Sequence, residues 1–473
     1  MMELIELTYK YILSMSESKK YNPQTIAITN YFDKHSFSAI KIELERDVKD
    51  FCENNYPFKA RDFIYKNDYF TPRNMYLISP IYYTYYTYIV FRIAKLFLDE
   101  DTKLDFSKER MKIFYSGFLD ISSNHSDVKQ NARFNKSYSS FQKERERYFD
   151  FPVLKIDLQD FFNSIKLKSL INKLKTLLGE NKIIDDLSYF LNFCGFDCLP
   201  QFHYSIGSSI LSQVYLQDFD SKIEKIASRE NINLIRFVDD MYFIYLDGEM
   251  DYKRNNNLLN EISYLLWNEE LVLNSSKTKF LSPEEYKNTV EVIGFDYGEE
   301  MVSFTSEKII DKRTKEIINN GNLIQLVNKL CRLEEESGID LKRYKEILDE
   351  YISIEGEDNR KILNNIIFSG KWKVLSDKEL KNLVENWRYI QFNPSQFTVL
   401  YVLICRHLER KNVINGSKIK LILNYLLNNS NFTFRDTLVA VAYLFQNKNK
   451  HSDLLNKIEI VNVDFVKFVK KYV

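Results

Sequence analysis

Asn233-Leu-Ile-Arg-Phe-Val-Asp239-Asp240-Met-Tyr-Phe-Ile-Tyr-Leu246 consists of two apolar runs of strand length with a pair of carboxylates between them. Val, Ile, Phe and Tyr fill both runs, a composition that favours strand over helix. The break falls at Val238-Asp239-Asp240. Adjacent acids at a hairpin tip repel each other, and they lack the glycine that a tight two-residue turn prefers. A divalent cation is the obvious compensation. A solvated acidic turn is the alternative that this stretch alone leaves open.

Bulk composition bounds the rest. A chain of 473 residues suggests two or three domains. With only 12 Gly and 8 Pro, long helices should dominate over a turn-rich sandwich or propeller. Five scattered cysteines argue against a disulfide framework and for a reducing compartment. Cys194, Cys198 and His203 suggest zinc, but no second Cys/His pair follows at ligand spacing, so ordinary thiols are the better reading. Acids stand where a signal peptide would carry a basic segment. The apolar run Ile78 to Leu98 holds too many Tyr and Thr for a membrane span and suits a core helix. The expectation is a soluble, cytoplasmic protein with no membrane partner. Formal net charge is zero, yet residues 360–473 carry 19 Lys/Arg against 8 Asp/Glu, a net of +11 balanced by −11 elsewhere. That basic region suits a polyanion or the acidic remainder of the chain equally well.

Along the chain, residues 1 to about 105 read as helical, with Tyr82, Tyr83, Tyr85, Tyr86 and Tyr88 too close together for all to face one core. Residues 120–150 are polar and charged and read as a mobile connection. Val153-Leu-Lys-Ile-Asp157-Leu has strand composition and ends on an acid. Helices are expected through about Leu178, over Ile184–Cys194, from Gly207 to about Ile226, and over Tyr252–Glu270. Leu271 to Phe280 reads as strand then turn, and Val290 to Tyr297 as a short strand. From about Ser306 the pattern is helix after helix, like stacked helical pairs.

If the strand ending in Asp157 lies beside the Asp239–Asp240 hairpin, the carboxylates converge at one end of a sheet. Such acids can hold two metal ions that activate a hydroxyl nucleophile and stabilise a leaving pyrophosphate. Ile156-Asp-Leu-Gln-Asp-Phe-Phe162, the Gly207…Ser212 helix, Phe237-Val-Asp-Asp240, Asn274-Ser-Ser-Lys277-Thr and Ile293-Gly-Phe295 occur in order. Together they resemble the palm motifs of reverse transcriptases, over about Ile64 to Tyr297. A palm followed by some 170 residues of helices resembles the abortive-infection and related defence-associated reverse transcriptases of bacteria.

That resemblance implies an α+β fold: a reverse-transcriptase fingers/palm domain followed by an all-α domain, with a HEAT-like helical repeat as one form. The expected divisions are 1–120 for helices and fingers, 121–300 for the palm and 301–473 for the basic helical domain. Asp157 and Asp239 would ligate two Mg2+ ions (Mn2+ could substitute), with Asp240 assisting. Phe162 would be the aromatic gate against a 2′-hydroxyl, and Gly207 would lie under the incoming nucleotide. Lys277 and Arg73 would meet the triphosphate. The resemblance implies dNTP substrates, single-stranded DNA product, phage defence, and homo-oligomers such as trimers or hexamers. Synthesis without a template, primed by a tyrosine of the protein, is the expected mode, with Tyr9 and then Tyr11 as candidates. Templating by a partner noncoding RNA and an inactive palm serving as a scaffold are the alternatives. Leu199-Pro-Gln201 is followed by Phe202, where the family often has glycine; here the glycine comes at Gly207. This departure puts ordinary template gripping in doubt.

Overall fold

The computed structural model describes residues 3–17, 22–64, 72–98, 101–249, 251–289, 307–352, 359–446 and 451–473. Helices α1 (Leu4–Glu17), α2 (Pro23–Lys34), α3 (Phe37–Glu45) and α4 (Val48–Asn54) lead to a hairpin of β1 (Lys59–Arg61) and β2 (Tyr76–Ile78), then α5 (Pro80–Lys95). Strand β3 (Met111–Phe114) precedes α6 (His125–Asn131), α7 (Phe134–Glu146) and β4 (Val153–Ile156). Next come α8 (Phe161–Ser164), α9 (Leu167–Leu178), α10 (Lys182–Phe193), α11 (Ile206–Tyr215) and α12 (Gln217–Arg229). The hairpin of β5 (Ile232–Phe237) and β6 (Asp240–Tyr245) follows, then α13 (Tyr252–Asn268), β7 (Lys279–Leu281) and α14 (Pro283–Thr289). The remainder is helical: α15 (Glu307–Asn319), α16 (Asn322–Ser337), α17 (Leu341–Ile352), α18 (Asn359–Phe368), α19 (Asp377–Glu385), α20 (Pro394–Arg410), α21 (Lys420–Asn428), α22 (Phe434–Gln446), α23 (Ser452–Glu459) and α24 (Val463–Tyr472).

Five strands form one sheet in the order β3-β5-β6-β4-β7, with only β3 and β5 parallel. Side chains alternate between its faces. One face carries Leu154, Ile156, Leu234, Met241 and Phe243, all buried, plus Arg236. A buried guanidinium needs a partner, and Asp220 of α12 supplies it at 2.7 Å. Burial pushes the Asp220 carboxyl up to about 6 although Arg236 pulls it down.

The other face carries Phe237, Tyr242 and Lys155, and α7 lies across it. Phe141 packs on Phe237 with ring centroids 5.3 Å apart. The Arg145 guanidinium sits 3.9 Å from the Tyr242 ring centroid, with Phe141 and Tyr286 beside it. Arg145 also donates to Gln142 Oε1 and to the carbonyl and hydroxyl of Thr289. The stretch 120–150 is therefore no mobile connection but two helices, the second with Ser137, Phe141 and Arg145 in the core. Its charge hid it: an arginine buried in an aromatic box reads as surface.

Helix α5 corrects a second expectation in part: of the five crowded tyrosines, Tyr88 is half-buried and the other four are not exposed. Tyr82, Tyr83, Tyr85 and Tyr86 are all buried, because α1, α2, α3, α10 and α11 surround the helix. Each hydroxyl finds a partner, as buried phenols must. Tyr82 donates to the Asn55 carbonyl at 2.7 Å, Tyr83 to that of His203 at 2.8 Å and Tyr85 to that of Arg46 at 2.8 Å. Tyr86 shares a 3.1 Å bond with Ser208 Oγ.

Smaller differences concern boundaries. The helix expected through Leu178 breaks between α8 and α9, and the one expected through Ile226 breaks at Leu216. Turn and strand are exchanged over 271–281: Leu273 makes a single bridge to Leu158, and the strand is β7. The strand expected over Val290–Tyr297, with the Gly294 motif, lies outside the described residues.

The C-terminal helices build a second apolar cluster that also takes in Ala27, Ala60 and Leu77, from α2, β1 and β2. Helix α24 makes the joint. Phe63 meets Phe465 edge-on at 4.8 Å, and Asn462 donates to the Arg61 carbonyl at 2.9 Å. No helix among the described residues is long and apolar enough to cross a membrane.

Removing one partner of a buried ion pair leaves a charge without compensation. Asp220→Ala should therefore cost about 3–5 kcal/mol, read as a lower urea midpoint. The double replacement Asp220→Leu/Arg236→Met should recover most of that loss.

Candidate active site

The antiparallel register pairs Ile156 of β4 with Met241 of β6. One step further it sets Asp157 against Asp240. On the other side, Lys155 pairs with Lys279 of β7, and the same register brings Lys277 to Asp157. The contacts agree. Lys277 Nζ donates to Asp157 Oδ2 at 3.1 Å, and Asn274 Nδ2 donates to Oδ1 at 2.9 Å. The Asn274 amide donates to the Asp157 carbonyl at 2.8 Å. Asp157 is buried while Lys277 is exposed.

Val238 and Asp239 form the tip of the β5–β6 hairpin. Only the first of them has positive φ, +55° at Val238, the pattern of a II′ turn that normally takes glycine there. A β-branched residue in that region is strained by about 1–3 kcal/mol. The tip is held by the burial of the Val238 side chain and by its amide, which donates to the Phe114 carbonyl of β3 at 3.1 Å. The turn thereby presents Asp239 beside the other two acids. Burial pushes the Asp239 carboxyl up to about 7, Asp240 and Asp157 push it the same way, and Lys277 opposes them. Two carboxylates, Asp240 and Asp157, thus act on a third, Asp239, at one end of the sheet.

Among the described residues no group of three His, Cys, Asp or Glu side chains stands in position to hold a metal ion. The donor chemistry does fit one: carboxylate oxygens that repel each other, with the lysine as the counter-charge, suit a hard divalent cation.

The other sequence candidates fall in different places. Asp160, at φ +47°, turns the chain into α8. Phe161 is buried and Phe162 half-buried, ring edge to ring face at 5.4 Å. Asn163 of the same helix accepts from Asn74 Nδ2 at 2.8 Å, so the arm carrying Arg73 is tied to the helix carrying Phe162. Arg73 is exposed, and its amide bonds the Ile64 carbonyl at 2.8 Å. Gly207 is buried in α11, where a Cβ would come 3.1 Å from Tyr86 and 3.4 Å from Val90. Its place is the packing of α11 on α5. Tyr11 is buried, and its hydroxyl donates to the Asn131 carbonyl at 3.2 Å. Tyr9 is half-buried and stacks on Phe32 at 4.8 Å, with its pKa raised by burial and then by Asp33 and Glu17. Cys194 and Cys198 are free thiols, and His203 pairs with Asp62.

Sequence reasoning missed Asn274 as a holder of Asp157. An Asn-Ser-Ser turn signal was available, but nothing in the chain says which strand lies beside it. It also missed Tyr138 of α7, which meets Phe237 edge-on at 5.1 Å, one strand away from Asp240.

A carboxyl raised on folding binds more protons in the folded than in the unfolded state. Its contribution to stability is therefore present below the ordinary carboxylate pKa and is lost as pH rises toward the folded value. In EDTA, the Tm advantage of Asp239→Asn over the parent should grow between pH 5 and pH 7.5. A constant difference would contradict this electrostatic picture.

Residues 130–297 match the family described as reverse transcriptase (RNA-dependent DNA polymerase). Residues 314–470 match a domain of unknown function, DUF8609. No curated protein matches the chain. Among solved structures, the chain is similar to the telomerase from Candida albicans in complex with a TWJ fragment of telomeric RNA, at 12% identity and a TM-score of 0.25. That alignment covers 78% of this chain, which spans 59% of the telomerase chain. The protein carries a reverse transcriptase domain over residues 130–297, and a helical region follows it.

Proposed function

We propose that this chain is a DNA polymerase of the reverse-transcriptase type, adding deoxynucleotides at Asp157, Asp239 and Asp240. The observation that carries the reading is the β4–β6 register that sets Asp157 against Asp240, with Asp239 beside them at the hairpin tip. Asp157 and Asp239 would hold the divalent cations, with Asp240 assisting. Bound there, magnesium supplies Lewis-acid stabilisation of phosphate charge and lowers the pKa of an attacking hydroxyl.

The chain's own groups do the rest. Lys277 reaches Asp157 from an exposed position and can turn to a triphosphate. Arg73 is exposed on an arm tied to α8. Phe162, the more open of the two phenylalanines, is the group that would meet a 2′-hydroxyl.

The setting proposed is bacterial anti-phage defence, with homo-oligomers synthesising single-stranded DNA without a template from a tyrosine of the protein. Support comes from the stretch after Leu199-Pro-Gln201. Phe202 there bridges to Tyr76, so the stretch is committed to the β1–β2 hairpin rather than left open for a template. Of the two priming candidates, Tyr9 keeps partial exposure and Tyr11 does not. Copying of a partner noncoding RNA is the second reading, favoured by the RNA-dependent description of the matched family.

With magnesium and labelled dNTPs the protein should incorporate label, and Asp239→Ala should lower the rate by at least about 100-fold, roughly 3 kcal/mol of transition-state stabilisation. Phe162→Ala should keep deoxynucleotide incorporation and admit ribonucleotides, shifting discrimination by about tenfold to 100-fold. Mass spectrometry after incubation with dNTPs should find nucleotide on Tyr9. Label on a tyrosine elsewhere would remove that assignment, and label on none together with a product matching a copurified RNA would favour the second reading.

A further inference from the structure

The segment between Gln201 and Gly207 holds a buried polar chain outside the carboxylate cluster. His203 Nε2 lies 2.5 Å from Asp62 Oδ2, and His203 Nδ1 lies 2.9 Å from Asn22 Nδ2. His203 and Asp62 are both buried, at 4% and 7% exposure.

The direction of each bond can be worked out. Asn22 is the N-cap of α2, and its Oδ1 accepts from the amides of Gln24 at 2.9 Å and Thr25 at 3.4 Å. That fixes the amide, so Nδ2 must face the imidazole as a donor. His203 Nδ1 is then an acceptor and Nε2 carries the proton, donated to the Asp62 carboxylate. A proton on Nδ1 would confront a second donor, and flipping Asn22 to receive it would uncap α2. The helix cap thus sets the tautomer of His203, and the tautomer sets the bond to Asp62.

Asp62 follows β1 directly. Its amide donates to the Met75 carbonyl at 3.0 Å, and the next rung is the Arg73 amide on the Ile64 carbonyl. The other side of the histidine is equally fixed. Its carbonyl accepts from Tyr83 of α5 at 2.8 Å, and the Gln201 carbonyl accepts from the Tyr76 amide at 3.0 Å. We propose that His203 is a positioning residue: through Asp62 it fixes the β1–β2 hairpin against α2 and α5, and so places the arm that carries Arg73. Its effect on catalysis rests on the polymerase reading above, whereas its effect on the hairpin does not.

The test uses the full chain and two substitutions. His203→Ala removes both bonds; His203→Gln keeps an N–H donor for Asp62. Amide hydrogen exchange at residues 73–76 should speed up by about tenfold or more in His203→Ala and stay near the parent rate in His203→Gln. The KM for dNTPs should rise several-fold in His203→Ala, with kcat within about twofold, and recover in His203→Gln. Unchanged exchange over 73–76 in His203→Ala would overturn the proposal, as would a loss confined to kcat. If exchange responds but the parent incorporates no nucleotide, the polymerase reading fails and the positioning role stands.

Discussion

Asp239 is held beside Asp240 and Asp157 against their repulsion, and the sheet around it has to resist that repulsion. Carboxylates do not gather unless the backbone forces them to, and here it does so through a ladder that lets neither strand slip. A one-residue slip of β4 against β6 would turn Asp157 to the opposite face of the sheet. Both faces are clamped accordingly. Arg236 and Asp220 fasten α12 beneath, while the Arg145 guanidinium, held over Tyr242, fastens α7 above. The strained Val238 turn is the local expression of the same demand: a glycine would relax the tip, but a valine anchors it in the core.

The remaining elements connect to this centre in sequence. Lys277 and Asn274 hold Asp157 from one side. Asn163 of α8 links the half-open Phe162 to the β1–β2 hairpin. The same hairpin receives His203 through Asp62 and the C-terminal helices through α24. It is the junction of three parts of the chain. The joint to α24 consists of packed aromatic rings with an exposed hydrogen bond beside them.

Much of this was legible in the sequence. The strands around Asp157 and Asp239–Asp240 stood out because β-branched and aromatic runs leave few alternatives, and the C-terminal helices because their apolar period is regular. What escaped notice shares one physical cause: polar residues that the fold buries. Arg145 made α7 look like surface. Five crowded tyrosines seemed too many for one core, yet four are buried, each hydroxyl on a carbonyl or a serine. His203 drew notice only as a neighbour of Cys194 and Cys198, and its partners lie 141 and 181 residues away, a separation that no local pattern records.

The central claim is that the convergent acids make a divalent-cation site for deoxynucleotide transfer. Its most direct test is incorporation of each labelled dNTP by the parent and by Asp157→Asn, with magnesium and with EDTA. The parent with magnesium should give labelled product, and the other three combinations should give none. Equal labelling by Asp157→Asn, or by the parent in EDTA, would contradict it.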